Sequence, residues 1–373
     1  MAETRQPTGI LPYQSLRELV RQQEISAAEP IREDQVQPAS LDLRLGPVAY
    51  RVRASFLPGP TARVEERIAA YGMHRFDLTA GAVLERGCVY VVPLLESLRL
   101  PSRVAGLANP KSSTGRLDIF TRLIADRSDE FDRVPAGYAG PLYAEIAPRT
   151  FSIVVRAGSR LNQLRLRRGG GPLGDAALKR LHQLSPLVTG PDGLSDIAGG
   201  IAVSLDLAGE AGDGPVGYKA RKHTDLIDID RAQHYEPLDF WEPIARRREA
   251  RLILDPDDFY IVASREWVSV PPDHAAEMTP YNPVVGEFRA HYAGFFDPGF
   301  GWAEAGGRGS RAVLEIRSHE VPFAMEHGQV VARLAYEPLT DRPDRLYGAG
   351  IGSSYQRQGL ALGKHFKQPE RFA

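Results

Sequence analysis

The two halves of this 373-residue chain resemble each other in the order and spacing of three sequence blocks. Self-similarity at a regular spacing is typical of a duplicated structural unit. We therefore predict a tandem duplication of one domain; the alternative is a chance likeness between two strand-rich segments. The paired blocks are ASLDLRLG (39–46) with VSLDLAGE (203–210), VLERGCVYVVPLLESLRLP (83–101) with ILDPDDFYIVASREWVSVP (253–271), and YAEIAPRTFSIVVRAGSRLNQLRL (143–166) with VLEIRSHEVPFAMEHGQVVARLAY (313–336).

Most of the chain consists of short runs of Val, Ile, Leu and Tyr, interrupted at close intervals by 36 glycines and 29 prolines. Short strands separated by turn residues are typical of an all-β sandwich or barrel. Helical periodicity is clear in YQSLRELVRQQ (13–23) and weaker in DAALKRLHQL (175–184). We predict an all-β fold with a few short helices.

A glycine- and proline-rich stretch at residues 167–200 separates the two strand-rich halves. Such a composition is typical of a connecting segment. We therefore predict an N-terminal domain over 1–168, a linker over 169–196 and a C-terminal domain over 197–373.

The net charge of the chain bears on whether it binds nucleic acid or membranes. The formal net charge is −1, so the chain has no overall field that would attract nucleic acid or an anionic membrane. We expect neither partner.

No apolar run approaches the roughly 18 residues needed to span a bilayer, and the first residues, MAETRQPTGILPYQ, lack the apolar core of a signal peptide. We expect a cytoplasmic protein.

Cysteine is represented by Cys88 alone. A single cysteine excludes an internal disulfide and every zinc site that uses several cysteines.

The segment ANPKSSTGRLDIF (108–120) concentrates cations and hydroxyls on a short turn. Lys111 and Arg116 offer charge-assisted donors, and Ser112 and Ser113 offer hydroxyl groups. These groups suit a phosphorylated ligand. The order of a Walker motif is absent, so an NTPase P-loop is not supported. A solvated turn with two basic residues is the alternative.

Four motifs in one order resemble the dCTP deaminase family of the dUTPase-like superfamily. The resemblance covers most of residues 10–168, with a weaker copy over about 197–367. It implies tandem dUTPase-like distorted β-barrel or jelly-roll domains, homo-oligomeric assembly, and active sites between neighbouring domains. It also implies hydrolytic deamination of dCTP to dUTP without zinc, with a glutamate as general base. The motifs are QPASLDLRLG (37–46), PKSSTGRLDI (110–119), GYAGPLYAEI (137–146) and VVRAGSRLNQLRL (154–166).

The residues present agree with a deamination that does not use zinc. Zinc-dependent nucleotide deaminases combine H-x-E with P-C-x-x-C. The chain contains the H-x-E triplet HYE (234–236), but its one cysteine lies far upstream. Without a metal, a water that attacks C4 of cytosine needs a carboxylate to accept its proton.

The resemblance places the catalytic glutamate at Glu145 in the first half and at Glu315 in the second. It assigns Arg116 and Ser112 to catalysis, and Lys111 and Ser113 to substrate binding.

The two halves have kept different parts of the family pattern. The first half keeps the lysine–serine–arginine segment but has Pro135 where the family hairpin has aspartate; the second half keeps Asp297 and Glu315. Its counterpart of the serine segment, 278–289, lacks the serines and the basic pair. We therefore predict a composite site, with Asp297 and Glu315 supplied by the second half. The competing assignment uses Glu145.

The C-terminal stretch YGAGIGSSYQRQGLALGKHF (347–366) resembles the family tail that folds over a bound triphosphate. This resemblance assigns Tyr355, Gln358 and Lys364 to substrate binding; a frayed terminus is the alternative. Magnesium is expected to arrive with the nucleotide, because hard oxygen ligands suit it.

Three alternatives to an enzyme that only deaminates dCTP remain at this point. Diphosphate hydrolysis occurs on the same scaffold, so a dUTPase or a bifunctional deaminase and diphosphatase is possible. Loss of motifs after duplication also allows a catalytically silent nucleotide-binding regulator.

Overall fold

The computed structural model describes residues 8–190, 196–210, 212, 214–280, 288–291, 294–305, 309–318, 320–348 and 355–368. The chain divides into two compact units. The first unit combines Met1–Gly171 with Asp225–Arg231 and Leu339–Arg345, and the second combines Pro172–Thr224, Ala232–Pro338 and Leu346–Ala373. Both consist mainly of strands with a few short helices, which confirms the predicted all-β class.

The first unit is built on two larger antiparallel sheets and one small sheet. Its helices are α1 (Tyr13–Arg21), α2 (Val64–Tyr71) and α3 (Ser112–Gly115), with a 3₁₀ turn at Glu33–Gln35. Its strands are β1 (Gly9–Ile10), β2 (Ile25–Ala27), β3 (Leu41–Arg44), β4 (Val48–Val52), β5 (Gly72–Asp77), β6 (Ala82–Leu84), β7 (Val89–Arg99), β8 (Val104–Pro110), β9 (Ile119–Ala125), β10 (Arg133–Val134), β11 (Ala139–Pro148), β12 (Ile153–Val155) and β13 (Arg160–Arg168).

The second unit likewise has two larger antiparallel sheets and a small one. Its helices are α4 (Asp175–Leu184) and α5 (Pro237–Phe240). Strand β17 (Ile227–Asp228) lies in this part of the sequence but belongs to the first unit. The strands of the second unit are β14 (Val188–Thr189), β15 (Ile201–Ser204), β16 (Gly217–Ala220), β18 (Trp241–Ile244), β19 (Arg251–Leu254), β20 (Tyr260–Val268), β21 (His274–Pro280), β22 (Phe288–His291), β23 (Phe295–Phe296), β24 (Ser310–Ser318), β25 (Phe323–Glu326) and β26 (Val330–Pro338).

The two glutamate strands occupy corresponding positions in their sheets. The first unit has the strand order β5-β4-β7-β11-β9, and the second has β18-β16-β20-β24-β22. Strand β11, with Glu145, therefore lies between β7 and β9, and strand β24, with Glu315, lies between β20 and β22. Each glutamate is consequently held by a neighbouring strand on both sides.

Residues 169–196, which we predicted to be a linker, contain helix α4 and strand β14. Leu178 and Leu187 from this segment are fully buried in the hydrophobic core of the second unit. The glycines and prolines of the segment indicate a linker, but between them lies a short amphipathic helix whose apolar face stabilises that core. The segment is therefore structural as well as connecting.

The first unit also contains two segments from the second half of the sequence. Strand β17 pairs in parallel with β12, and the Arg156 guanidinium donates to both carboxylate oxygens of Asp228 at 2.7 and 2.8 Å. The backbone N–H of Thr340 donates to the carbonyl of Ile10 at 2.9 Å. No repeat block covers these segments, so the sequence comparison did not reveal them.

Within the described part of the chain, no helix is long and apolar enough to cross a bilayer.

An aromatic cluster fixes the C-terminal segment 355–368 to the second unit. The Phe366 ring is fully buried, and its centroid lies 5.6 Å from that of Phe240 and 5.9 Å from that of Trp241. The next residue, Lys367, donates its backbone N–H to the carbonyl of Tyr235 at 2.9 Å. Burial of these rings stabilises the attachment.

We expect Phe366→Ala to lower the free energy of unfolding by about 3–5 kcal/mol, because it removes a buried ring and leaves a cavity. Urea denaturation measures this loss. Lys367→Ala is the matched control: its exposed ion pair with Glu236 contributes about 1 kcal/mol or less. Equal losses in the two variants would contradict the assigned role of the ring.

Candidate active site

The predicted phosphate segment forms one helical turn, α3, between strands β8 and β9. The backbone N–H of Arg116 donates to the carbonyl of Ser112 at 3.0 Å, which closes the turn. Strand β13 anchors it, because the carbonyl of Leu161 accepts both the Lys111 backbone N–H and the Thr114 hydroxyl at 2.8 Å. The turn thus holds its hydroxyl and cationic side chains on one rigid support.

The four predicted side chains of this turn differ in burial. Ser113 and Arg116 are buried, whereas Lys111 and Ser112 are half-buried. The Lys111 ammonium donates to the carboxylate of Asp42, which lies in the SLDL block on strand β3. Sequence reasoning did not single out this aspartate as a partner of Lys111, although its recurrence in the SLDL blocks was a visible signal.

Glu145 lies in the middle of strand β11 with only 1% of its surface exposed. Its Oε1 accepts two hydrogen bonds from the Arg122 guanidinium, at 3.0 Å from Nε and 2.5 Å from Nη2. Arg122 is the cross-strand neighbour of Glu145 and lies against the Phe131 ring, 3.4 Å from its centroid. Oε2 of Glu145 is buried and has no hydrogen-bond partner among the described residues.

Asp132 is a second carboxyl group close to Arg122. The backbone N–H of Leu123 donates to its Oδ1 at 2.7 Å. Desolvation by burial raises the pKa of Asp132 to about 7; the bond from Leu123 and the charge of Arg122 lower it, and the charge of Glu145 raises it further. Asp132 therefore titrates near neutral pH, which sequence reasoning did not foresee.

In the second unit, Glu315 is buried in strand β24, between Ile261 of β20 and His291 of β22. Asp297 is also buried, and its carbonyl accepts the backbone N–H of Phe300 at 3.0 Å in a tight turn.

Gly299, within this turn, has a φ of +96°, and a Cβ there would lie 2.7 Å from the carbonyl oxygen of Tyr347. Only glycine fits such a position without strain.

The counterpart of the serine segment, 278–289, lies largely outside the described residues, as 281–287 are not among them.

The predicted tail residues contact their own unit. The Gln358 side chain donates to the carbonyl of Arg311 at 2.9 Å. The Tyr355 hydroxyl accepts the backbone N–H of Lys364 at 3.2 Å. These bonds hold the tail in place, and the contact of Tyr355, Gln358 and Lys364 with a triphosphate stays a prediction.

The described residues contain no group of three or more His, Cys, Asp or Glu side chains that could hold a metal ion. The donor set available there does not fit a protein-held magnesium ion. The arrival of magnesium with the triphosphate stays a prediction.

Two family models match this chain. The model of the 2'-deoxycytidine 5'-triphosphate deaminase N-terminal domain covers residues 7–170, and that of the C-terminal domain covers residues 174–366. The crystal structure of 2'-deoxycytidine 5'-triphosphate deaminase from Agrobacterium tumefaciens is similar, with a TM-score of 0.85 and 57% sequence identity. That match covers 90% of this chain and 100% of the Agrobacterium chain.

A curated relative from Halobacterium salinarum is named "dCTP deaminase, dUMP-forming". It is 33% identical over 109 residues, which are 28% of this chain. The match spans 52% of that relative, about half of its length.

The raised pKa of Asp132 predicts a pH-dependent stability. Between about pH 4 and 7 the folded chain keeps a proton on Asp132 that the unfolded chain releases, so the free energy of unfolding falls as the pH rises through this window. Asp132→Asn keeps an oxygen acceptor for Leu123, and asparagine tolerates the φ of +63° at this position. We therefore expect the free energy of unfolding to fall less for the variant than for the parent between pH 5 and 8. Thermal unfolding at several pH values measures this difference.

Asp129→Asn, an exposed change on the same loop, is the control and should follow the parent curve. Parallel curves for the parent and Asp132→Asn would show that Asp132 has an ordinary pKa.

Proposed function

Since this chain belongs to the 2'-deoxycytidine 5'-triphosphate deaminase family, we propose that it catalyses the hydrolytic deamination of dCTP to dUTP and ammonia. The observation with the most weight is that the two family models together cover both halves of the chain, residues 7–170 and 174–366. A dUTPase-like distorted barrel or jelly roll in each unit, homo-oligomeric assembly and a cytoplasmic location are parts of the same proposal.

In the proposed reaction a water molecule attacks C4 of the cytosine ring. The new bond joins the water oxygen to C4, and the glutamate carries one water proton to N3 of the ring and the second to N4. The C4–N4 bond then breaks, ammonia leaves, and the oxygen stays on C4 as the carbonyl of dUTP. Arg116 and Ser112 orient the water. Their common turn, closed by a backbone hydrogen bond of 3.0 Å, supports this assignment because it fixes both residues on one support.

Glu315 is our choice for the proton acceptor. A general base takes up a proton during the reaction. The choice follows from the sequence of the second half, which keeps Glu315 together with Asp297, whereas the first half has Pro135 in place of that aspartate. Glu145 is the competing candidate: its Oε1 accepts two charge-assisted hydrogen bonds from Arg122, and its Oε2 accepts none among the described residues.

The phosphates of dCTP, with their magnesium ion, are proposed to bind Lys111 and Ser113. Tyr355, Gln358 and Lys364 are proposed to cover the bound nucleotide. The half-buried position of Lys111 supports its role, because an ammonium at the surface can meet a ligand without unfolding its surroundings.

A second candidate is a bifunctional enzyme that also releases diphosphate and forms dUMP. The name of the relative from Halobacterium salinarum, "dCTP deaminase, dUMP-forming", favours this possibility.

Separate incubations with dCTP and with dUTP, each with magnesium and with assays for ammonia and diphosphate, separate the candidates. We expect ammonia in stoichiometric amounts with dUTP and no diphosphate. Both products together would indicate the bifunctional enzyme, diphosphate released from dUTP without ammonia from dCTP would indicate a dUTPase, and neither product would indicate a silent regulator.

Substitution of the glutamates identifies the base. Glu315→Gln keeps the size of the side chain and removes the proton acceptor, so we expect kcat for dCTP to fall by about 10²- to 10⁴-fold while dCTP still binds. Glu145→Gln is the matched variant from the other half and should keep turnover within a few-fold of the parent. The reverse result would assign the base to Glu145, and parent rates in both variants would refute a glutamate base.

A further inference from the structure

We propose that Asp42 is a positioning residue that fixes the Lys111 ammonium for the triphosphate. This inference rests on the proposed function. The Asp42 carboxylate lies on strand β3, is 3% exposed, and accepts a hydrogen bond from Lys111 Nζ. Because a lysine side chain loses rotamer freedom when it is fixed, an ammonium that is already held costs a ligand less to bind.

The geometry leaves the Lys111 ammonium able to serve both partners. An ammonium has three N–H donors, and Asp42 uses one of them. The Lys111 side chain is 21% exposed, so the ammonium lies between a buried carboxylate and solvent. The carboxylate thus holds the ammonium from inside while a phosphate oxygen can approach from outside.

Arg160 is a second cation close to the Asp42 carboxylate. Its Nη1 lies 3.7 Å from Asp42 Oδ2, and its Nη2 lies 3.2 Å from the oxygens of Asp34. A buried carboxylate is strongly unfavourable when its charge is not compensated. Arg160 therefore allows Lys111 to share its charge with a phosphate while it stays bonded to Asp42.

The second half of the chain provides an internal comparison. Its SLDL aspartate, Asp206, is paired with Arg311 at 2.5 Å, and both side chains are at most 4% exposed. Arg311 also donates to the carbonyl of Ser264 at 2.8 Å and lies over the Trp267 ring. Both halves therefore keep a buried aspartate with a cation, but the lysine of the first half has the greater access to solvent.

A double-mutant cycle on the full-length protein tests the inference, with inorganic tripolyphosphate as the probe in titration calorimetry. Asp42→Asn should weaken tripolyphosphate binding about tenfold, because Lys111 loses its fixed position. Lys111→Met should weaken it by a similar or larger factor. The double variant should bind no more weakly than Lys111→Met alone, because Asp42 acts through Lys111.

The same cycle is measured with dCTP. The effect of Asp42→Asn should appear mainly in KM, with kcat within a few-fold of the parent. Asp206→Asn serves as the control, and Lys111→Met should have the same effect in that background as in the parent. If Asp42→Asn does not fold, Asp42→Glu replaces it: this variant keeps the charge but moves it by one methylene, and it should weaken binding only when Lys111 is present.

Two results would overturn the inference. Multiplicative effects of the Asp42 and Lys111 substitutions would show that the two residues act independently, and tighter tripolyphosphate binding by Asp42→Asn would show that Asp42 competes with the ligand. The proposed reaction is tested separately from the role of Asp42. If the parent protein releases no ammonia from dCTP but the Asp42 and Lys111 substitutions still show coupled effects on tripolyphosphate binding, the proposed reaction is refuted and the positioning role of Asp42 is supported.

Discussion

A carboxylate buried in a β-sheet requires a cation close by, and this requirement shapes both units of the chain. Removing an ionised group from water costs several kcal/mol unless a partner compensates it. Three buried acids in the repeat blocks are each paired with a basic residue, and the position of that base decides what the acid can do. The pairs are Glu145 with Arg122, Asp42 with Lys111, and Asp206 with Arg311.

The general architecture and the phosphate segment could be predicted from sequence because both depend on local patterns. Closely spaced glycines and prolines indicated short strands, and the cluster at 111–116 indicated one turn. The partner of Glu145 could not be predicted in this way. Arg122 meets it only through the register of β9 against β11, and a shift of one residue would place Arg122 on the other face. The pKa of Asp132 depends on burial, which no local pattern reports.

Residues 169–196 were predicted to be a linker but contain helix α4 and strand β14, and the reason is again tertiary. Glycine and proline describe how easily a backbone turns, but they do not show whether the side chains between them are buried. Leu178 and Leu187 are buried, and this tertiary packing overrides the composition of the segment. The predicted boundary therefore falls within residues that stabilise the second unit.

Strand β17 has a consequence for any attempt to divide this chain into two separate polypeptides. Two domains separate cleanly only when each contains all of its own strands. Here Ile227 and Asp228 cover the edge of β12, which would otherwise expose unpaired backbone groups that invite aggregation. A break in the chain after residue 171 would leave the upstream fragment without this cover, so the first unit depends on residues that follow most of its own sequence.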